Sequence, residues 1–233
     1  EYLYAVEIVR EEIDAIRKTT TDSQQKALLG DMAADIKGVE SINVCVCSFS
    51  AEKDSLSQWR AYSGTTSGFS IGFHGKLLAD MASTEQCNLA QCIYDPDKQR
   101  AFIRALVEEV LEENIQGIPW DDEHHIPRGG NLAANLHKYA PILKHTSFKE
   151  EQEWRIISRP LSCRRKGFEF RPGISMRIPY YQFPLESESV RFDLREVVVG
   201  PTPHSTQARA SVSSFLESQH LGDVPVNNSL VPY

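Results

Sequence analysis

The chain has 233 residues, 41% of them hydrophobic and 24% charged, and its 25 Lys and Arg against 32 Asp and Glu leave a formal charge of −7. That composition is typical of a soluble globular protein. The acidic balance argues against a general binder of phosphate backbones, whose surface should be basic. No run of eighteen apolar residues occurs, so nothing is expected to span a membrane and no membrane partner is expected.

The first residues, EYLYAVEIVREE, carry early acid and no apolar signal-peptide core. Tyr2, Val6, Val9, Ile13 and Ile16 recur at three or four residues and predict an amphipathic helix over 2–17. Thr21 or Asp22 then caps a second helix over about 23–37. Because the chain begins almost inside a helix, an upstream segment is expected to be missing.

Residues 42–50 alternate small and apolar side chains as a buried strand does. A short helix follows, with Ser50 or Asp54 as its N-cap and Leu56, Trp59, Arg60 and Tyr62 on its turns. Gly64 and Gly68 bracket a loop, and Phe69, Ile71 and Phe73 alternate along the next strand. Residues 76–82 read as a short helix, 87–95 as a strand, and 97–114 as a long helix facing the core through Phe102, Leu106, Val110 and Leu111. The stretch 117–131 is a loop or a lid, rich in Gly, Pro and charge. A helix over 132–145, a strand over 150–158, a hairpin region over 163–173 and a strand over 175–183 come next. A strand at 195–203, a helix opened by Thr202 or Ser205, and a last strand at 224–230 form a crossover unit. Hairpins together with one crossover predict an α+β fold in a single domain over 1–233, with N-terminal helices over 1–40 and a mixed, mostly antiparallel sheet over 41–233.

Five cysteines are too few and too odd in number for a disulfide framework, so structural thiols and a cytoplasmic location are expected. His124 and His125 are adjacent and point apart, with no evident third ligand, so no metal site is expected.

Two stretches carry candidate chemistry. In EEQEWRIIS, strand alternation puts Glu151, Glu153 and Arg155 on one face, and Gln152, Trp154 and Ile156 on the other, taken as the core face. The charged row reads either as a catalytic row or as a solvated strand face with a weak ion pair. In SFSAEKDSLSQWRAY, Ser48 and Ser50 share a strand face, while Trp59 and Tyr62 share a helix side. The aromatic pair reads either as a stacking platform for a flat ring or as a core pair.

These two stretches together resemble a bacterial family known as domain of unknown function 2971. That family shows a Ser-Phe-Ser strand, a Trp-x-x-Tyr helix, a Gly before an alternating strand, and a later F-x-x-E-x-E-W-R stretch. VVVGPTP and NSLVPY near the end of the chain look like it as well. The family pattern begins with an upstream strand carrying Tyr-Arg or Tyr-His and an Asn-Asp motif, and this chain starts just after it. The order Ser48-Phe49-Ser50, Tyr62, then Glu151-Gln152-Glu153 is similar, more distantly, to that of ADP-ribosyltransferases. That likeness implies a split sheet and cleavage of the nicotinamide–ribose bond of NAD, with transfer to a macromolecule (a protein or a nucleic acid) or hydrolysis. It makes Glu153 the main acid and Glu151 the acceptor-side one. Ser48 and Ser50 then fix the ribose and amide, Trp59 or Tyr62 stacks on nicotinamide, and Arg60 or Arg155 holds the pyrophosphate. A bacterial toxin or phage-defence effector is the implied setting. A non-catalytic nucleotide- or protein-binding sensor is the alternative, and a nuclease the third.

Overall fold

In a computed structural model, the structure describes residues 2–36, 43–64, 68–116, 120–121, 126–127, 132–187 and 192–233. In chain order the elements are α1 (Tyr2–Thr19), α2 (Ser23–Asp35), β1 (Val46–Ser50), α3 (Leu56–Tyr62), β2 (Phe69–Phe73) and α4 (Gly75–Thr84). They continue with β3 (Asn88–Gln91), α5 (Pro96–Gln116), β4 (Trp120–Asp121), β5 (Ile126–Pro127) and α6 (Leu132–Tyr139). The last are β6 (Glu153–Ile157), β7 (Phe168–Pro172), β8 (Arg177–Tyr181), β9 (Leu194–Val199), α7 (Ser205–Ser218) and β10 (Val226–Asn228). This is the expected α+β mixture of helices and mostly antiparallel strands, but among the described residues the strands form four small sheets instead of the one mixed sheet expected over 41–233.

Contacts group the chain into two compact units. The first comprises Glu1–Cys47, Ala90–Lys149 and Ile157–Gln182. Its core is helical. The apolar stripe of α1 buries Val6, Val9, Ile13 and Ile16 against Ile103, Val107 and Val110 of α5 and Leu132 and Leu136 of α6. Asp22 caps α2 by accepting a hydrogen bond from the Gln24 N–H at 2.8 Å. The fully buried Gln99 uses both ends of its amide. Nε2 donates to the carbonyls of Ile93 and Lys144, and Oε1 accepts from the Tyr4 hydroxyl, so no polar atom of this side chain is wasted in the core. β7 and β8 form a separate antiparallel hairpin.

The second unit comprises Ser48–Leu89, Glu150–Ile156 and Phe183–Tyr233. Here β9 pairs antiparallel with β2 and parallel with β10. Two parallel strands need a crossover, and α7 supplies it, as the strand–helix–strand pattern predicts. A small apolar cluster of Leu78, Ala82 and Ile156 is closed by Phe49, Phe73 and Leu185.

A further sheet has the order β1-β6-β3, so the two motif-bearing strands β1 and β6 are neighbours, as a shared site requires. Several local expectations need correction. β1 is not a buried strand: Val46, Cys47, Ser48 and Ser50 are exposed, and among the described residues β1 lies at the edge of its sheet beside β6. The N-cap position of α3 is Ser55, whose side chain makes no capping hydrogen bond, and neither Ser50 nor Asp54 serves, since both of those side chains are engaged elsewhere. The helix over 132–145 stops at Tyr139 and tightens into a 3-10 turn over Ala140–Ile142, where Pro141 removes a backbone donor. Most of the loop or lid over 117–131, with His124 and His125, lies outside the described residues. The five cysteines are free thiols.

Candidate functional site

The second unit contains a pocket of about 320 Å³. Its floor comes from β1 and β6. Glu153 opens β6 and is only 5% exposed. A carboxylate so placed needs a compensating charge, and Arg155 supplies it from the same strand face. Arg155 Nε donates to Glu153 Oε1 at 2.8 Å and Nη2 donates to Oε2 at 2.9 Å, a bidentate fork between residues two apart. Arg155 is itself buried. The expected shared face of Glu153 and Arg155 is therefore real, and it is the inward one.

The other face differs from expectation. Trp154 is 37% exposed and does not anchor the strand in the core; Ile156 alone of that row does so. Alternation tells which residues share a face, but not which face is covered. Glu151 is not on the strand either. It ends a 3-10 turn over Thr146–Glu151, and Gln152 at φ 42° bends the backbone before β6 begins. Glu151 nonetheless lines the pocket with Glu153. The link across to β1 is specific: Ser50 Oγ donates to the Glu151 carbonyl at 2.8 Å, and the Ala51 N–H donates to the Gln152 carbonyl at 3.0 Å. Ser50 Oγ also accepts from the Glu52 N–H, fixing the turn out of β1.

Helix α3 forms the opposite wall. Tyr62 lines the pocket from its last turn and stays 77% exposed, whereas Trp59 is buried. The Trp59 indole N–H donates to Asp54 Oδ1 at 2.7 Å. The same carboxylate accepts from Ser229 Oγ and, through Oδ2, from the Leu230 N–H at 2.6 Å. Partial burial pushes the Asp54 carboxyl up, but the bonds from Ser229, Leu230 and Trp59, with the nearby Lys53 charge, outweigh that and hold it below the usual range. Asp54 is thus a latch between α3 and the segment after β10. Trp59 closes the arrangement by packing its ring on Gly200, where an added Cβ would lie 3.0 Å from Trp59 Cε3 and from the Gly68 carbonyl oxygen.

Ser48, Ser50, Trp59, Tyr62, Glu151 and Glu153 all line this one pocket. Arg60 is exposed and lies outside its lining, and the Arg155 guanidinium is committed to Glu153. The cation that does reach the pocket is Lys53, whose Nζ pairs with Glu196 at 3.0 Å. Glu52, Lys53 and Phe69 also line it and were not singled out from the sequence; a polar turn after a strand carries no signal that separates site residues from ordinary loop residues. The result is a pocket with hydroxyls on one side, three glutamates and one lysine at its floor and rim, and two exposed rings, Tyr62 and Phe69. Such a lining suits a polyhydroxyl ligand bearing a flat, electron-poor or cationic ring.

A family model described as "Protein of unknown function (DUF2971)" matches residues 58–156. The matched stretch opens inside α3 and closes inside β6, so it includes Trp59, Tyr62, Glu151 and Glu153. Ser48 and Ser50, and the segments VVVGPTP and NSLVPY, lie outside it. No curated protein and no solved structure matches the chain.

Proposed function

We propose that the pocket takes the nicotinamide–ribose half of NAD and cleaves the bond between them, passing the ADP-ribosyl group to a macromolecule or to water. The observation that carries this reading is the convergence of Ser48, Ser50, Tyr62, Glu151 and Glu153 on one pocket, from segments a hundred residues apart. A volume of about 320 Å³ is at the small end for ligand sites and suits half a dinucleotide. The oxidised nicotinamide ring is a pyridinium cation, which an acidic, aromatic lining favours.

Breaking the glycosidic bond builds positive charge on the ribose. A fixed carboxylate beside it stabilises the transition state more than the ground state. In this reading Glu153 has that role, and the Arg155 fork keeps it from reorganising. Glu151 sits on the acceptor side, Ser48 and Ser50 hold hydroxyls of the ribose, and Tyr62 covers the ring. Lys53, which lines the pocket, then takes the diphosphate in place of Arg60 or Arg155. The ADP-ribosyltransferase-like split sheet and an effector acting in the cytoplasm belong to the same proposal.

The test is nicotinamide release by the purified protein. Glu153→Gln keeps the side-chain shape but weakens the pair with the buried Arg155, so melting curves are taken alongside; in protein that is still folded, turnover should fall on the order of a hundredfold or more. Equal rates for the two proteins would remove Glu153 from the chemistry. One feature favours a second reading, a binding module: both Glu153 oxygens are already held by Arg155, as in a purely structural ion pair. Calorimetry that shows NAD bound by both proteins and released as nicotinamide by neither would select it.

A further inference from the structure

The hairpin formed by β7 and β8 stands apart in composition from the rest of the chain. Residues 159–177 carry six basic side chains (Arg159, Arg164, Arg165, Lys166, Arg171 and Arg177) and one acid, Glu169, in a protein of net charge −7. Arg165 is turned inward onto the Tyr181 ring, 5.2 Å from its centroid, while Arg164, Lys166, Arg171 and Arg177 are exposed. Glu169 accepts from the Tyr180 hydroxyl. The charge of the hairpin therefore faces water.

Its apex is apolar. The Gly173 N–H donates to the Met176 carbonyl at 2.9 Å, closing a turn so tight that a Cβ on Gly173 would lie 2.7 Å from that carbonyl oxygen. This turn drives Ile174 outward to full exposure and leaves Met176 68% exposed, while Phe170, midway along the ribbon opposite Pro179, is 51% exposed. Two large apolar side chains at the tip of a ribbon, with a third midway along it, are costly in water, and they mark an interaction surface.

We propose that this hairpin docks on an anionic lipid surface, its apex entering the acyl boundary and its arginines resting among the headgroups. The register separates this from groove binding on a nucleic acid. Pro172 pairs with Arg177 and Arg171 with Ile178, so Arg171 and Arg177 lie on opposite faces of the ribbon at nearly the same height. They ring the apex, as a surrounding headgroup layer favours; a ribbon in a groove needs its cations in a stripe along one face. Aliphatic and thioether side chains at the very tip suit hydrocarbon, with arginines placed where phosphates lie. The sequence excludes a membrane partner only in the sense of a spanning segment, and a hairpin that lies in the interface leaves no apolar run to detect.

The test is co-sedimentation of the whole protein with vesicles of phosphatidylcholine alone, or of equal parts phosphatidylcholine and phosphatidylserine. The wild type should bind the second and not the first. Ile174→Ser with Met176→Ser should weaken binding at least tenfold, and Arg171→Ser or Arg177→Ser about fivefold each. All four side chains are exposed, so melting curves should match the wild type. No binding to the mixed vesicles, or binding that the apex variant leaves unchanged, overturns the proposal. So does tight binding to a short DNA duplex that is lost in the same variants while vesicles are ignored.

Discussion

Asp54→Ala removes the carboxylate that joins α3 to the segment after β10. Of its three donors, the Trp59 indole N–H matters most, because Trp59 is buried. A buried donor left without a partner costs about 1–3 kcal/mol. The Leu230 N–H and Ser229 hydroxyl lie on an exposed or half-buried stretch and can turn to water, so their loss adds little. The sum is about 2 kcal/mol, or a fall in Tm of about 4–8 °C for a chain of this size. Asp54→Asn keeps an acceptor for the indole but turns an amide toward the Leu230 N–H, and about half that loss is expected. The assay is thermal melting followed by tryptophan emission. The latch also has a defined pH range. Its folded carboxyl is held below the ordinary value, so its contribution is complete above about pH 3.9 and is lost as the pH falls through the lower folded value. An Asp54→Ala protein that melts within about a degree of the wild type, with unchanged emission, would refute the reasoning.

Arg155→Met should destabilise the fold, because it removes the bidentate fork from the buried Glu153 carboxylate and puts an apolar chain in its place; urea unfolding measures it. Trp154→Ala should cost only about 1–2 kcal/mol, well below the 3–5 of a fully buried aromatic, because its side chain is in part solvated already. Burial holds the His137 imidazole below its usual pKa, with its ring stacked on Tyr2 at 5.7 Å. The unfolded chain therefore takes up this proton first, and stability is full above about pH 6.5 and declines as the pH falls below it. Melting curves between about pH 7 and pH 5 should show that decline, and His137→Phe, which keeps the stack, should flatten it.

Much of this architecture is legible in the sequence because periodicity reports local geometry directly. The stripe of Val6, Val9, Ile13 and Ile16 needs a helix and a partner, and it has both. The strand–helix–strand pattern after Leu194 has one simple solution, a parallel pair under a crossover, and that is what forms. The pocket residues could be named because two serines spaced by one residue on a strand and two glutamates spaced by one residue further on are short-range patterns. What the sequence cannot carry is which side of a strand the rest of the chain covers. Trp154 and Ile156 share a face by alternation, yet one is in part exposed and the other buried. The reach of Asp54 is hidden for a related reason: a carboxylate just before a helix looks like a cap, and its true partners are 175 and 176 residues away. Alternation puts Glu151 on a strand, and the bend at Gln152 takes it off.

The separation between Asp54 and Ser229 also sets an order of events during synthesis. A ribosome adding about 5–20 residues per second needs on the order of ten to thirty-five seconds to travel the 175 positions from one to the other. The first wall of the pocket, from Ser48 to Ser70, emerges early; Glu151 and Glu153 follow about a hundred residues later, and the hydroxyl that completes the latch last of all. For that interval the Trp59 indole has its acceptor but not the segment that clamps it, and the nascent chain displays an aromatic side chain that the finished protein hides. A chaperone that binds aromatic segments has its opportunity then, and a ribosome that stalls before Ser229 yields a chain that lacks the final clamp on its pocket wall.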